Sequence, residues 1–169
     1  MKAIVAVSRD WGIGYKNRLL FSIPEDMKFF RETTKGAAVI MGRATLESLP
    51  GGRPLKNRRN IVISSRKGYF VPGAETAESP AAAAALTEGE ENVFVIGGAS
   101  VYRQMLPYCS EALVTLVDES AEADCFFPNL DEDPDWELSE LGEEREYNGL
   151  RFRFAVYRRR EDFQDGCEE

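Results

Sequence analysis

The segment VFVIGGASVY (residues 93–102) is a continuous apolar run that ends in two glycines and continues into small and hydroxyl-bearing residues. Such a run is typical of a β-strand covered on both faces, and the glycines indicate a tight turn into a helix. The segment VIMGRATLES (39–48) has the same arrangement. Turns of this kind present backbone N–H groups and the positive end of a helix dipole to phosphate groups. The two segments therefore predict an α/β fold with two phosphate-binding turns.

The rest of the chain agrees with an α/β fold. Strands are predicted at 2–8, 37–41, 60–65, 93–97 and 112–118, and helices at 24–35, 80–88 and 99–106, with a short helix after Gly42. Strands that alternate with helices indicate a mostly parallel sheet. We expect a single domain over residues 1–158, with a central, mostly parallel twisted sheet flanked by about four helices.

The C-terminal part has a different pattern. Residues 136–147 and 150–158 flank Asn148-Gly149, which is a strong signal for a tight β-hairpin. An antiparallel C-terminal hairpin is therefore expected to close one edge of the sheet. The segment 159–169 has no periodicity and is predicted to be a flexible acidic tail.

Composition excludes several classes of function. The chain has no histidine, which removes Ser-His-Asp and Cys-His catalysis and every histidine-ligated metal site. Its three cysteines form no CxxC pair, so no metal site and no disulfide framework is predicted. The net charge of −8 argues against a nucleic-acid partner, and no segment is apolar enough to cross a membrane. We expect a cytoplasmic protein.

Asp26 is the candidate catalytic group. It lies in FSIPEDMKFF (21–30), where Ser22 and Glu25 have the spacing of a capping box and predict a helix start. An acid in a first helical turn can simply complement the helix dipole. However, the large apolar neighbours of Asp26 would make an unpartnered carboxylate costly. A carboxylate in such surroundings usually binds a planar N–H donor or moves a proton.

The basic residues are concentrated in the first part of the chain. Residues 1–67 contain 14 Lys and Arg against 5 Asp and Glu. Arg43 follows one glycine turn, and Arg66 follows ISS (63–65), at the end of another predicted strand. Arginine matches phosphate oxygens bidentately, so these two residues suit the 2′-phosphate of NADPH. The alternative for Arg66 is a solvated loop charge.

Five segments together carry a family resemblance. The segments GIGYKNRLLFSIPEDMKFFR, VIMGRATLES, GRPLKNRRNIVISS, VFVIGGASVYRQMLP and VTLVDESAEADCFFP resemble dihydrofolate reductases of the bacterial chromosomal type, in order and in spacing. The resemblance covers roughly residues 1–158. It implies a monomeric enzyme that uses NADPH to reduce dihydrofolate, a step in one-carbon metabolism and a target of antifolates.

The resemblance also implies a substrate site. Asp26 would hold the pterin ring and favour its protonation, Thr115 would support Asp26, and Arg58 would bind the glutamate α-carboxylate. Residues that would wall the substrate are Ile4, Val5, Met27, Phe30, Leu49, Leu55, Ile96 and Tyr102. Near the reacting atoms the family resemblance adds Phe21 and Leu19 as catalytic positions.

A cofactor site is implied in the same way. Its residues are Ala6, Ile13, Asn17, Gly42, Arg43, Thr45, Ser64, Ser65, Arg66, Ile96, Gly97, Gly98, Ser100, Val101 and Tyr102. The family's bond between the two glycines, here Gly97-Gly98, is cis. The loop at about 9–22 would close over the nicotinamide and exclude water.

Several positions depart from the family pattern. Leu20-Phe21 stands where the family usually has Pro-Trp, so the indole N–H that could hold an ordered water is missing. Ser100 stands where an arginine often assists the cofactor phosphate, and Leu19 replaces a common methionine. These changes keep open a non-catalytic relative that binds folate or NADPH. A second alternative is a pyrimidine reductase of riboflavin synthesis, which would not need Asp26.

Overall fold

The structure, a computed structural model, describes residues 1–160. Its strands are β1 (Lys2–Val7), β2 (Gly12–Tyr15), β3 (Arg18–Leu19), β4 (Ala38–Gly42), β5 (Arg59–Ile63), β6 (Ala74–Ala77), β7 (Val93–Gly97), β8 (Glu111–Val117), β9 (Cys125–Phe126), β10 (Trp136–Leu141), β11 (Arg145–Tyr147) and β12 (Leu150–Arg159). The helices are α1 (Pro24–Thr34), α2 (Arg43–Ser48), α3 (Pro80–Leu86) and α4 (Ala99–Met105), with 3-10 turns at Pro50–Gly52 and Leu106–Tyr108. The predicted α/β class is confirmed.

One nine-stranded sheet runs through the molecule. Its order is β10-β12-β8-β1-β7-β4-β5-β6, and β11 pairs with β12 outside this path. The strands from β8 through β1 to β6 are parallel, whereas β12 is antiparallel to each of its neighbours. Because β4, β5 and β7 are parallel neighbours, their carboxyl ends meet at one edge of the sheet. Both glycine-containing turns of the sequence lie at that edge.

The two faces of the sheet carry separate apolar clusters. Helices α3 and α4 cover one face, where Tyr102 and Met105 pack with Val95 and Phe127. Helices α1 and α2 cover the other face, where Leu46 of α2 packs against strand residues of the sheet: Ile4, Val39, Met41, Val62 and Phe94. The site described below lies on the face covered by α1 and α2.

The C-terminal strands differ from the prediction in two respects. The tight turn at Asn148-Gly149 is confirmed, but the partner of β12 is divided into β10 and β11 around Gly142, whose N–H donates to the carbonyl of Phe154 at 2.8 Å. The expectation that Arg159 begins a flexible tail is wrong. Arg159 ends β12, and its guanidinium donates to the carbonyls of Cys109 and Leu106. Residues 161–169 lie outside the described residues.

The capping box predicted for α1 is also wrong. The N-cap residue is Ile23 and no side chain caps the helix, while the Ser22 hydroxyl lies 3.7 Å from the sulfur of Met27. The side chain of Ile23 is buried against Val117 and Phe152, and this packing places the N-cap one residue after Ser22. The first turn of α1 is therefore fixed by tertiary contacts.

Periodicity did not reveal the short strands. β2 and β3, which lie within the segment predicted as a loop, form a three-stranded sheet with β9. β6 adds an edge strand to the main sheet. Strands of two to four residues are too short to show an alternating pattern. Among residues 1–160, no helix has the length and apolar character needed to cross a membrane.

Candidate active site

Asp26 is bonded to the sheet through Thr115. The hydroxyl of Thr115, on β8, donates to Oδ1 of Asp26 at 2.6 Å, and Thr115 is only 2% exposed. Burial raises the pKa of the Asp26 carboxyl above its ordinary value, and the hydrogen bond from Thr115 offsets part of this rise. The site thus contains a partly buried carboxylate with one fixed hydrogen-bond donor.

Apolar side chains surround this carboxylate. β1 and β8 are in register so that Ile4 lies beside Leu113 and Ala6 beside Thr115, and these side chains point to the face of α1. The remaining wall residues are partly buried against the same cluster; they are Phe30, Leu49, Leu55 and Ile96. Met27 is 54% exposed. These side chains therefore belong to one apolar cluster on the face of the sheet that α1 and α2 cover.

The structure does not bring Val5 into this wall. Val5 packs against the cluster on the opposite face of the sheet, because neighbouring residues of a strand point to opposite sides. Its register partner is Val114, whose side chain is buried in the same cluster. Only the backbone of Val5 can face the cleft.

Arg58 is hydrogen-bonded to the C-terminal end of α1. Its Nε donates to the hydroxyl of Thr34 at 2.9 Å, and one terminal nitrogen donates to the carbonyl of Lys56 at 3.0 Å. Burial and the nearby guanidinium of Arg31 lower the pKa of Arg58 from its ordinary value. Thr34 is fully buried and donates in turn to the carbonyl of Phe30. This chain of hydrogen bonds fixes the guanidinium where a carboxylate of a ligand could bind it.

The two glycine turns meet at the sheet edge. A Cβ on Gly42 would lie 3.0 Å from the side chain of Val101 on α4, and a Cβ on Gly97 would lie 3.3 Å from the hydroxyl of Thr45 on α2. Gly97 has φ of +133°, which side chains rarely adopt. The Gly97-Gly98 peptide bond is cis, as the resemblance implied. The narrow cradle between α2 and α4 therefore requires glycine on both sides.

Polar side chains surround this cradle. Arg43 begins α2 and pairs with Glu47 at 3.2 Å, and Ser64 follows β5 beside it. The hydroxyl of Ser64 accepts a hydrogen bond from the backbone N–H of Arg66. Ser65, Arg66 and Ser100 are exposed. Hydroxyl and guanidinium groups beside free helix N–H groups fit the phosphates of a dinucleotide.

Tyr102 has a different environment from that expected of a ligand contact. It is 4% exposed, its ring packs edge-on against Phe127, and its hydroxyl donates to the carbonyl of Ile4 at 2.7 Å. Burial raises its pKa, with the charge of Asp26 as a further cause. Its hydroxyl would lie 3.7 Å from a Cβ on Gly97. Tyr102 therefore packs beside Gly97 and is hydrogen-bonded to β1, so it supports both. Val101, its neighbour on α4, is also buried.

The segment 9–22 is held against the loop that ends in β9. Asp124 accepts a hydrogen bond from the N–H of Lys16 at 3.0 Å, and its own N–H donates to the carbonyl of Gly14. Asn17, with φ of +62°, forms the turn between β2 and β3, and Leu19 is 84% exposed. These contacts give the predicted loop a defined conformation.

Two apolar residues of this segment enter different clusters. Ile13 packs against the cluster under α4. Phe21 is partly buried against Ile23, Val117 and Phe152. Phe21 thus borders the same side of the sheet as Asp26 and Thr115.

Sequence reasoning missed three residues of this site. Leu113 lies two positions before Thr115, and the strand period of two could have identified it. Thr34 and Asp124 gave no signal in the sequence, because each acts through a partner that is 24 or 108 positions away in the chain. No group of three or more His, Cys, Asp or Glu residues within 1–160 could hold a metal ion.

A partly desolvated carboxylate in an apolar cleft, next to a glycine-lined phosphate cradle, defines the class of dinucleotide-binding α/β reductases. The chain belongs to the dihydrofolate reductase family, because the family model for dihydrofolate reductase matches residues 1–159.

Individual relatives agree with this assignment. The chain is 45% identical over 157 residues to a dihydrofolate reductase of Neisseria meningitidis serogroup B, covering 92% of this chain and 96% of the relative. It is 35% identical to the Bacillus subtilis dihydrofolate reductase, covering 96% of each. The structure resembles Enterococcus faecalis dihydrofolate reductase complexed with NADP(H), with a TM-score of 0.82, 34% identity and coverage of 94% and 95% of the two chains.

Proposed function

We propose that the protein reduces 7,8-dihydrofolate to 5,6,7,8-tetrahydrofolate with NADPH. The observation that carries the proposal is the Asp26–Thr115 hydrogen bond within an apolar cleft that adjoins the glycine cradle. Membership of the dihydrofolate reductase family and the solved relative with NADP(H) support the same activity. Antifolates that mimic the pterin would compete for this cleft.

Asp26 binds the pterin and controls its protonation. Its free carboxylate oxygen accepts hydrogen bonds from the 2-amino group and ring N3 of the pterin, while Thr115 holds the other oxygen. The negative charge in a poorly solvated cleft favours a proton on N5 of the substrate. Because the chain contains no histidine, a water molecule delivers that proton.

The apolar side chains beside Asp26 suit the apolar parts of the substrate. The side chains of Ile4, Phe30, Leu49 and Leu55 pack along the pterin and the aminobenzoyl group. Arg58 binds the glutamate α-carboxylate at the outer end, with its guanidinium held by Thr34. Met27 covers the open side.

The cradle between α2 and α4 holds the cofactor. NADPH supplies the hydride when it is bound there. Gly97 and Gly98 allow close backbone approach, and Thr45 lies within hydrogen-bonding reach of the same space. Arg43 and Arg66, with Ser64 and Ser65, would bind the adenine-side phosphates, and Arg43 pairs with Glu47 in this structure. Ala6 and Ile96 border the nicotinamide, and Tyr102 supports β1 through its hydrogen bond to the carbonyl of Ile4. Ile13, Asn17 and Leu19 belong to the segment that closes over the nicotinamide.

Two further aspects belong to this proposal. The protein acts as a cytoplasmic monomer. Its ligands are small molecules, and it has no nucleic-acid partner. A single peak of monomer mass in light scattering would support the monomeric state. A non-catalytic relative is less well supported, because Asp26, Thr115 and the complete glycine cradle are all present. A pyrimidine reductase would have no use for a carboxylate whose burial raises its pKa.

The loss of NADPH absorbance tests the proposal directly. Purified protein is mixed with NADPH and dihydrofolate, with NADH in place of NADPH as the control. We expect rapid oxidation that requires dihydrofolate and prefers NADPH. Binding of NADPH or folate without turnover would instead identify a non-catalytic relative, and absence of both would contradict the assigned site.

A further inference from the structure

The first turn of α1 is tied to the sheet at two adjacent residues. This turn has no side-chain cap, so its position depends on tertiary contacts. Asp26 accepts the hydrogen bond from Thr115 of β8. Glu25, the residue before it, forms an ion pair with Arg145 of β11, which lies 120 positions further along the chain. Two neighbouring carboxylates are thus held by two different strands.

Arg145 contacts α1 by a second route. Its guanidinium carbon lies 5.4 Å from the centroid of the Phe154 ring on β12. The ring of Phe154 packs in turn against Phe29 of α1, with 4.7 Å between the centroids. Arg145 therefore lies between the first turn of α1 and an aromatic side chain that supports the middle of the same helix.

This contact and the Asp26 contact share one part of the sheet. Phe154 is the register partner of Thr115 in the antiparallel pair of β12 and β8. Residues directly opposite each other in such a pair point to the same face and touch. Thr115, which holds Asp26, is therefore adjacent to Phe154, whose ring Arg145 contacts. A shift of the β11–β12 hairpin would change both contacts to α1.

The ion pair itself has little value for stability. The side chains of Arg145 and Glu25 are 50% and 44% exposed, and ion pairs exposed to this degree contribute little to the free energy of unfolding. Its effect is geometric, because catalysis and substrate binding depend on the position of Asp26 to within a fraction of an ångström. An effect on activity can therefore be separated from an effect on folding.

We propose that Arg145 and Glu25 are positioning residues for the folate site, which orient Asp26 by fixing the first turn of α1 to the β11–β12 hairpin. Neither residue belongs to the walls or to the cradle described above. This proposal rests on the proposed function, since it assigns the pair a role in that same reaction.

Steady-state kinetics of Arg145→Gln, Glu25→Gln and the double variant test this role. Each single variant is expected to lower kcat/KM for dihydrofolate by roughly three- to tenfold, without a change in the KM for NADPH. The double variant is expected to lose no more than either single one, because both remove the same contact. Arg145→Lys keeps the charge and should restore part of the activity. The apparent pKa in the pH profile of kcat/KM for dihydrofolate should also shift in the single variants, because the surroundings of Asp26 then change.

Arg158→Gln serves as the matched control. Arg158 has the same 50% side-chain exposure, and it pairs with Glu111 of β8 and Glu140 of β10. It should keep wild-type kinetics. Single variants with wild-type kinetics, additive losses, or equal losses for both substrates would overturn the positioning role while leaving the proposed function intact. An inactive wild-type protein would instead overturn the proposed function, and this inference with it.

Discussion

The hydroxyl of Thr115 and the carboxylate of Asp26 form a hydrogen bond of 2.6 Å across 89 positions of the chain. The bond joins the first turn of α1 to the central strand β8. Because burial works against the charge that this bond supports, Asp26 retains a raised pKa. The same pair of residues therefore affects the stability, the pH dependence and the substrate affinity of the protein.

Replacement of Asp26 by asparagine should remove most of the activity at neutral pH. The substitution keeps the size but removes the charge that favours protonation of the substrate. We expect kcat to fall by about 100-fold or more, as for loss of a group that assists proton transfer. Activity should recover partly at acidic pH, where the substrate arrives already protonated. A pH profile of kcat that is unchanged from the wild type would contradict the role of Asp26.

The same substitution should stabilise the folded protein at neutral pH. The pKa of Asp26 is raised in the folded state, so the folded state binds its proton more tightly than the unfolded state does. The contribution of this group is most favourable below the unfolded-state pKa and is lost as pH rises through the folded-state pKa. Asp26→Asn should therefore raise the urea midpoint at neutral pH and have less effect in acid. Glu122→Gln, at an exposed carboxylate, is the control and should leave the midpoint unchanged in both conditions.

Thr115→Val should weaken binding of dihydrofolate. Valine has nearly the same shape but donates no hydrogen bond, so Asp26 loses its fixed partner and its pKa should rise further. Hydrogen bonds to charged groups contribute about 1.5–3 kcal/mol, so the KM for dihydrofolate should increase by roughly tenfold or more. Thr87→Val removes a buried hydroxyl at the C-cap of α3 that bonds only to backbone carbonyls, and it should lower stability without changing this KM.

Arg43→Ala should reduce the preference for NADPH over NADH. The guanidinium is assigned to a phosphate that NADH lacks, so the KM for NADPH should increase by about tenfold while that for NADH changes little. Glu47→Gln is the informative companion variant, because it frees Arg43 from its ion pair and should not raise the KM for NADPH. Equal effects of Arg43→Ala on both cofactors would argue against recognition of the 2′-phosphate.

Phe21→Trp should not lower turnover. Phe21 is only partly buried, and an indole at this position would restore an N–H donor that could hold a water molecule near the substrate. The turnover number at saturating substrate is the quantity to measure, with Phe21→Leu as an apolar control that offers no donor. A large loss in Phe21→Trp would mean that the segment 9–22 is built differently from that of relatives with tryptophan.

The sequence predicted the fold class and the strands of the parallel sheet because their signals are local. The buried strands β1, β4, β5, β7 and β8 are each a run of apolar residues, and their predicted ends were correct to within two residues. Ser79 caps α3 as Ser79-Pro80 indicated, since the cap and the helix it begins are neighbours in the chain. In contrast, the cap predicted for α1 was wrong. Ile23, which is buried against two distant strands, is the N-cap residue instead of Ser22.

The candidate site divides in the same way. The residue types of the glycine turns, Asp26 and Arg58 were visible in the sequence, and their resemblance to a family gave them roles. Only the tertiary structure decided that Val5 faces away from Asp26, that Tyr102 is buried beneath Gly97, and that Arg145 reaches Glu25. Periodicity reports which residues are buried within one element, whereas contacts between residues about a hundred positions apart depend on how the elements pack. The sequence by itself therefore determined the elements and the chemistry of this protein, and the packing of those elements determined the geometry in which that chemistry is placed.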